Sequence, residues 1–238
     1  MIDNTNPSYI ESFQNKLRGF MTHLNQPTVA IIANGRIDDD NKILSKINRH
    51  HYIIAADGGA SHCFRLKVIP DLIIGDFDSI GDDAMLAFSK VPKMQFLKDK
   101  DETDLELAII QAFLINPEKV TLFAATGNRV DHTLVNLHIL RRFASKLLIE
   151  TENETIFALN PEVSANSFEI KTEVGQTISF LPIGNDATGV TTKGLKWELK
   201  DATLNEKFLS ISNVCLDTRT SISIKTGDLL CFLLEFLN

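Results

Sequence analysis

The sequence predicts an α/β fold, with a mainly parallel α/β domain over residues 28–153 and an all-β, sandwich-like domain over residues 154–238. Two observations predict it. Short apolar runs such as TVAIIANG, YIIAADGG and KVTLFAATG alternate with segments of helical periodicity, which is typical of a covered parallel sheet. After about residue 155, strand-like runs separated by turn residues replace the helical pattern.

The individual elements follow from these patterns in chain order. Residues 8–24 carry apolar side chains at helical spacing, which predicts an amphipathic packing helix within an extension over residues 1–27. Helices are then expected at NKILSKIN, ASHCFRLK, DDAMLAFSK and LELAIIQAFL. In the β-domain, Gly175-Gln176 and Gly227-Asp228 are predicted to be hairpin turns.

Composition narrows the possible partners. The net charge of the 238-residue chain is -7, and no basic stripe is present to bind a nucleic acid. A nucleotide remains compatible with this charge if a divalent cation screens its phosphates. The three cysteines lie far apart and are expected to be buried thiols in a reducing compartment. No apolar run approaches the ~20 residues of a membrane span, and no secretory signal is recognisable, so we expect a cytoplasmic protein.

Carboxylates follow the apolar runs of the α/β domain, where parallel strands end. In open parallel sheets, ligands bind in the crevice outside these strand ends. Several converging acids repel one another unless a cation lies among them, and Mg²⁺ prefers such oxygen ligands. The sequence therefore predicts a magnesium site built from some of Asp57, Asp76, Asp78, Asp101, Asp104 and Asp131.

Structural alternatives exist for these acids. Asp57 in ADGG can simply shape a turn. Asp76 and Asp78 alternate along a segment that is expected to be extended, so that their side chains share one face and can chelate a cation, although a solvated loop would show the same pattern. Ser79 is expected to cap the following helix.

A helix start is expected at Thr103. Thr103 and Glu106 form a T-x-x-E capping box, which places Asp104 in the first turn. The helix dipole alone favours an acid there, but the same helix start offers free N–H groups to a phosphate. Both roles stay open for Asp104.

The stretch TGNRVDHTLVNL contains several polar residues with candidate functional roles close together. Gly127 and Asn128 permit a tight turn, Arg129 presents a fork for phosphate, and Asp131 is expected to cap the next helix. His132 is interpreted as structural rather than as a base. Neither a P-loop nor a GxGxxG motif is present.

Trp197 is the single tryptophan of the chain and lies in TTKGLKWELKD, close to Gly194. It is either a core residue or a stacking platform for a flat or cationic ring.

Taken together, these motifs resemble the thiamine pyrophosphokinase family. The resemblance runs from about residue 28 to the carboxyl terminus. It rests on ADGGA at 56–60, DLIIGDFDS at 71–79, KDETD at 100–104, ATGNRVDHTLVNL at 125–137, GVTTKGLKWEL at 189–199 and SISN at 210–213. It implies transfer of pyrophosphate from ATP to the hydroxyl of thiamine with Mg²⁺, in a homodimer whose active sites lie between subunits.

The resemblance also implies roles for individual residues. The metal ligands would be Asp76, Asp78 and Asp104, and with Arg129 and Asp131 they would form the catalytic set. The nucleotide site would be formed by Asp57, Gly58, Asp101, Thr103, Gly127 and Asn128, and the thiamine site by Trp197, Ser212 and Asn213. The chain departs from the family pattern at Ala124 and Asn128, where glycine is commoner, and at Ser61, where asparagine is commoner.

Three other functions stay open on the sequence alone. One is a pyrophosphokinase for another alcohol, such as a hydroxymethylpterin. The second is a metal-dependent phosphohydrolase, in which water replaces the alcohol. The third is a non-enzymatic thiamine or nucleotide sensor, for which the full set of carboxylates and Arg129 would be unnecessary.

Overall fold

A computed structural model describes residues 26–97, 101–144, 146–163 and 167–236. The chain forms two compact units that divide between Thr133 and Leu134. The predicted mixed α/β fold with a strand-rich C-terminal part is confirmed. The helix predicted over residues 8–24 lies outside the described residues.

The first unit alternates strands and helices. Its strands are β1 (Thr28–Ile32), β2 (Tyr52–Ala56), β3 (Leu72–Gly75), β4 (Lys93–Gln95) and β5 (Lys119–Phe123). Its helices are α1 (Asp40–Ile47), α2 (Gly59–Arg65), α3 (Asp82–Ala87) and α4 (Asp104–Phe113). A fifth helix, α5 (Val130–Arg142), begins in this unit and continues past the division.

The five strands form a parallel sheet in the order β4-β3-β2-β1-β5. Their apolar runs are continuous because side chains on both faces are buried; Val29 to Ile32 of β1, for example, have no exposed surface. The chain moves outward from β1 to β4 on one side and then returns to place β5 on the other side of β1. The pair β1–β5 is therefore the point where the strand order reverses, which is where open α/β sheets form a ligand crevice.

The second unit is built mainly from antiparallel strands. They are β6 (Leu147–Glu150), β7 (Glu154–Leu159), β8 (Ser167–Lys171), β9 (Thr177–Lys193), β10 (Ala202–Leu204), β11 (Ser210–Val214), β12 (Arg219–Ser223) and β13 (Thr226–Leu234). Their order is β6-β7-β13-β9-β12-β8, with β10 and β11 also paired to β9. Strand β6 pairs antiparallel with β7.

The long strand β9 organises this unit. Residues 177–183 pair with β11 and β13, whereas residues 187–193 pair mostly with β10 and β12. The register shifts between these halves, close to Gly184, which has a φ of 84°. A bend of this kind lets one strand serve two sets of partners around a common core, as in sandwich-like folds. That core includes Phe180, Val190 and Leu229.

Both predicted hairpin turns are wrong. Gly175 does lie in a turn, with a φ of 89°, but β8 and β9 on either side of it each pair with β12 instead of with each other. Gly227 lies inside β13, at a register shift, with a φ of 81°. A glycine with positive φ reports a local reversal or bulge, and it does not determine which strands pair.

Candidate active site

Three carboxylates meet where β2 and β3 end. Asp57 directly follows β2, and Asp76 and Asp78 follow β3. One oxygen of each carboxylate lies within 4.8 Å of the other two. Among the described residues, this is the one group of three acidic, histidine or cysteine side chains close enough to share a metal ion. We call Asp57, Asp76 and Asp78 the carboxylate triad.

The triad differs by one member from the predicted metal set. Asp57, which the sequence analysis assigned to the nucleotide site, joins Asp76 and Asp78, and the assignment of Asp104 to the metal stays a prediction. The reason is topological, because β2 and β3 are adjacent parallel strands and their ends lie side by side. Asp104 instead begins helix α4, and its negative charge still raises the pKa of Asp57.

A turn, and not an extended segment, brings Asp76 and Asp78 together. Phe77 between them has a φ of 70°, in the left-handed region, which contradicts the expected alternation. The backbone N–H of Asp78 donates to Asp76 Oδ1 at 3.1 Å, as in an Asx turn. Ser79 does not cap helix α3, whose N-cap is Gly81; its hydroxyl donates to Asp78 Oδ1 at 3.0 Å.

Gly75 allows the end of β3 to lie directly against Asp57. The need for a glycine at this position was not predicted from the sequence. The φ of Gly75 is 150°, and a Cβ at this position would lie 2.9 Å from the Cβ of Asp57. Any larger residue would push the two strand ends apart. The IIG-D pattern at the end of an apolar run is the signal that points to such a close approach.

Asp57 is half-buried, as is Asp76, whereas Asp78 is exposed. Burial raises the pKa of the Asp57 carboxyl group, and the charges of Asp104 and Asp76 raise it further, while hydrogen bonds from Ser79 and Gly58 lower it. Its Oδ1 is buried and accepts no hydrogen bond from any described residue. A buried acceptor without a donor is costly unless a cation or a ligand satisfies it.

These features fit a magnesium ion. Mg²⁺ takes oxygen ligands and commonly binds through one or two carboxylates plus substrate phosphates. The triad supplies three carboxylates whose mutual repulsion a divalent cation would relieve. Asp57 Oδ1 would gain a partner that no described residue supplies.

The start of α4 matches its prediction. The hydroxyl of Thr103 accepts from the N–H of Glu106 at 3.1 Å, and the Glu106 carboxylate accepts from the N–H of Thr103 at 3.1 Å. The capping box is thus complete, and Asp104 lies in the first turn. Asp101 is exposed and lies in a bend before this helix.

The loops that follow β1 and β5 are joined by hydrogen bonds at the point where the strand order reverses. Gly35 donates its N–H to Ala124 O at 2.6 Å, and Asn128 Nδ2 donates to Asn34 O at 3.3 Å. Gly127, Asn128 and Ala124 all have positive φ values, of 82°, 45° and 50°. Ala124 and Asn128, where the family more often has glycine, therefore lie at positions whose backbone conformation favours glycine.

The loop of Asn34, Gly35 and Arg36 was not identified from the sequence. A Cβ on Gly35 would lie 2.3 Å from the carbonyl oxygens of Ala124 and Thr126. A Cβ on Gly58, the N-cap of α2, would lie within 2.6 Å of the Asn34 side chain. The signal that could have found this loop is the Asn-Gly pair at the end of the first apolar run, TVAIIANG.

Arg129 and Asp131 are paired with each other at the surface. Arg129 Nη2 lies 2.5 Å from Asp131 Oδ2, and both side chains are about two-thirds exposed. Asp131 is the second residue of α5 and not its N-cap, which corrects the prediction. The hydrogen bond from Arg129 lowers the pKa of Asp131 to about 2.

In the second unit, Trp197 is a surface residue, with 56% of its area exposed. The buried side chain of Asn213 fixes its backbone, accepting from the Trp197 N–H at 3.1 Å and donating to the Trp197 carbonyl at 2.7 Å. Ser212 is exposed and has a φ of 53°. Lys196 Nζ lies 4.6 Å from the centre of the indole ring, so one face of the ring already holds a cation. The core alternative for Trp197 is therefore wrong.

Comparisons with known proteins extend this picture to both units. Residues 43–150 match the family model of the thiamin pyrophosphokinase catalytic domain, and residues 166–231 match that of the thiamin pyrophosphokinase vitamin B1 binding domain. A thiamine pyrophosphokinase of Bacillus subtilis is 28% identical over 210 residues, which cover 85% of this chain and 96% of that protein. Thiamine pyrophosphokinase 3 of rice is 26% identical, covering 72% of this chain and 73% of its own length.

Solved structures agree with these matches. The crystal structure of the Bacillus subtilis thiamine pyrophosphokinase superposes with a TM-score of 0.76 at 26% identity, covering 88% of this chain and all of that chain. The yeast thiamin pyrophosphokinase shares the fold, with a TM-score of 0.74 at 21% identity over 89% of this chain and 87% of its own. From the two family models and these relatives, we conclude that the chain belongs to the thiamin pyrophosphokinase family.

Proposed function

We propose that this chain transfers the terminal pyrophosphate of ATP to the hydroxyl of thiamine, giving thiamine diphosphate and AMP. The observation that carries this proposal is the carboxylate triad at the strand ends of a chain that matches both domains of the family. A pterin pyrophosphokinase and a phosphohydrolase find no support in the matches.

The residues of the first unit would hold ATP and its metal. Asp57, Asp76 and Asp78 supply carboxylate oxygens for Mg²⁺, and Asp104 adds negative charge nearby. When bound, Mg²⁺ would neutralise charge on the transferred pyrophosphate. The loops of residues 34–36 and 124–128 lie at the reversal of strand order, where we place the nucleotide, with Gly58, Asp101 and Thr103 at neighbouring loop and helix ends.

Arg129 would exchange partners when ATP binds. In the structure, its guanidinium group is held by Asp131 in an exposed ion pair. The triphosphate of ATP carries more negative charge and more acceptor oxygens than one carboxylate, so it would bind the guanidinium group of Arg129 more strongly than Asp131 does. Asp131 would thus keep Arg129 oriented until the phosphates arrive.

A strong base is not required in this reaction. Pairing with Arg129 lowers the pKa of Asp131 to about 2, which makes Asp131 a poor proton acceptor near neutral pH. Asp57 is the other carboxylate that could accept the proton, and burial raises its pKa. If the transition state is loose, the thiamine hydroxyl loses its proton late, and positioning dominates the rate.

The second unit would supply the thiamine site. Trp197 presents an exposed indole face, which suits the cationic thiazolium ring of thiamine. Asn213 fixes the backbone that carries this indole, and Ser212 adds a hydroxyl. In this scheme, residues 28–153 bind the nucleotide and residues 154–238 complete the thiamine site.

We also propose a homodimer with active sites at the subunit interface, and a cytoplasmic location. Ile211 and Leu216 are exposed apolar residues of the second unit that such an interface would cover. The three cysteines are free and buried, which supports a reducing compartment. Among the described residues, no helix is long and apolar enough to span a bilayer.

A product assay tests the proposed function. The purified chain, incubated with ATP, Mg²⁺ and thiamine, should yield AMP and thiamine diphosphate in equal amounts. ADP would identify a monophosphate kinase instead. Release of AMP and pyrophosphate without thiamine would identify a phosphohydrolase, and faster turnover of a hydroxymethylpterin would identify the other pyrophosphokinase.

Replacing Trp197 with Ala should weaken thiamine binding specifically. A cation–π contact contributes ~0.5–2 kcal/mol, so we expect the KM for thiamine to rise roughly 2- to 30-fold. The KM for ATP and the Tm should change little, because the side chain is mostly exposed. Trp197→Phe is the matched control and should retain most of the affinity. An unchanged thiamine KM in Trp197→Ala would contradict the stacking role.

A further inference from the structure

His62 occupies a defined place in a chain of hydrogen bonds that the proposed mechanism does not use. Its Nε2 lies 2.8 Å from the carbonyl oxygen of Gly35, and its Nδ1 lies 3.1 Å from Arg65 Nη2. Arg65 is in turn paired with Asp40, at the start of α1. The chain of contacts therefore runs from Asp40 through Arg65 and His62 to the backbone of the loop after β1.

The chemistry of the partners determines the tautomer of His62. A carbonyl oxygen only accepts hydrogen bonds, so Nε2 must carry the hydrogen. A guanidinium group only donates, so Nδ1 must be bare. His62 is therefore a neutral imidazole with a fixed orientation. Burial also lowers its pKa, more than the hydrogen bond to Gly35 raises it, which keeps the ring neutral near pH 7.

The backbone that His62 holds is confined on several sides. Gly35 donates its N–H to Ala124 O, and the N–H of Arg36 donates to Thr126 O at 2.9 Å, so one side of the loop is tied to the loop after β5. On another side, the Asn34 side chain lies against Gly58. His62 is the side chain that reaches the Gly35 carbonyl from helix α2. Because Gly35 lacks a side chain, its position depends on these backbone contacts.

We propose that His62 is a positioning residue for ATP, which it serves by holding the Asn34–Arg36 loop at the reversal of strand order through the Gly35 carbonyl. The proposal rests on the proposed function, because it assigns this loop to the nucleotide site. In this proposal, His62 does not contact thiamine and does not transfer a proton. Arg65 and Asp40 act one step further away, by fixing the tautomer and the ring orientation.

The test compares two substitutions that differ in one property. His62→Leu removes the donor, whereas His62→Gln keeps a side-chain N–H that can reach the same carbonyl. We expect His62→Leu to raise the KM for ATP about tenfold, equivalent to about 1.4 kcal/mol of binding. The KM for thiamine should stay within about twofold, which is below 0.5 kcal/mol. His62→Gln should restore most of the ATP affinity.

Several results would overturn the proposal. One is an unchanged KM for ATP in His62→Leu, and another is an equal rise in both KM values with a lower Tm and no rescue by Gln. Phe64→Ser, on the same helix, removes an edge contact with the ring of Phe88 and is the control for general destabilisation of α2, which should lower the Tm without a selective rise in the KM for ATP. If wild-type protein forms no thiamine diphosphate, the proposed function fails, independently of how the variants compare.

A second measurement needs no variant. The ¹⁵N chemical shifts of the His62 ring in the full-length wild-type protein should show a protonated Nε2 and a bare Nδ1 at neutral pH. Adding ATP with Mg²⁺ should shift these resonances, and adding thiamine alone should not. The opposite tautomer, or resonances that ignore ATP, would contradict the assignment.

Discussion

Replacing Asp78 with Asn is expected to lower the rate of pyrophosphate transfer roughly a thousandfold while the fold survives. The amide keeps the size of the side chain, but it removes one of three charges that would hold Mg²⁺. Loss of several kcal/mol of charge stabilisation in the transition state corresponds to this factor. The measurement is kcat for thiamine diphosphate formation at saturating ATP, thiamine and Mg²⁺.

The stability of the same variant distinguishes a metal ligand from a structural residue. Because the triad carboxylates repel one another, Asp78→Asn should keep or slightly raise the Tm without metal. Adding Mg²⁺ with ATP should raise the Tm of the wild type more than that of the variant, since ligand binding stabilises the folded state. Asp83→Asn, an exposed acid in the first turn of α3, is the matched control. Wild-type turnover in Asp78→Asn would remove Asp78 from the metal site.

The second large effect is expected on stability. Gly35→Ala should destabilise the protein by about 3 kcal/mol or more, because its Cβ would lie 2.3 Å from two backbone carbonyl oxygens, of Ala124 and Thr126. Those oxygens belong to the loop after β5 and cannot rotate away as a flexible side chain can. A loss of this size lowers the Tm of a chain this long by roughly 6–12 °C.

Gly81→Ala is the control for this substitution. Gly81 is also a loop glycine, but its φ is negative, and the nearest atom to a new Cβ would be Ser61 Oγ at 3.9 Å. We expect a cost below ~1 kcal/mol there, the usual range for a change at an N-cap. Thermal unfolding of both variants decides the matter. Equal Tm values would mean that the two loops can separate at little cost.

The parts of the site that follow local rules were predictable from the sequence. The capping box of Thr103 and Glu106 depends only on residues three positions apart, and it is present in the structure. The acids after β2 and β3 were recognised because apolar runs end where ligands bind in parallel sheets. Local rules failed at Phe77, whose left-handed backbone replaces the expected extended segment.

Other features depend on contacts between distant segments. Nothing in the sequence singles out Asp57 as the acid that lies beside Asp76 and Asp78, because this grouping follows from β2 and β3 being neighbours. The importance of Gly35 and His62 likewise appears only when the loops after β1 and β5 are seen to be hydrogen-bonded. A histidine within a short helix has no distinguishing pattern in the sequence.

The alternation of strands and helices, the strand-rich second half and the family could all be read from the amino-acid sequence, because apolar periodicity and motif order are local properties of the chain. Tertiary structure decided which acids share one centre, that Trp197 lies at the surface, and that neither Gly175 nor Gly227 makes a hairpin. The physical reason is that backbone hydrogen bonds between strands form across long sequence separations. Local residue preferences set where the chain turns, and the pairing of strands sets which side chains meet.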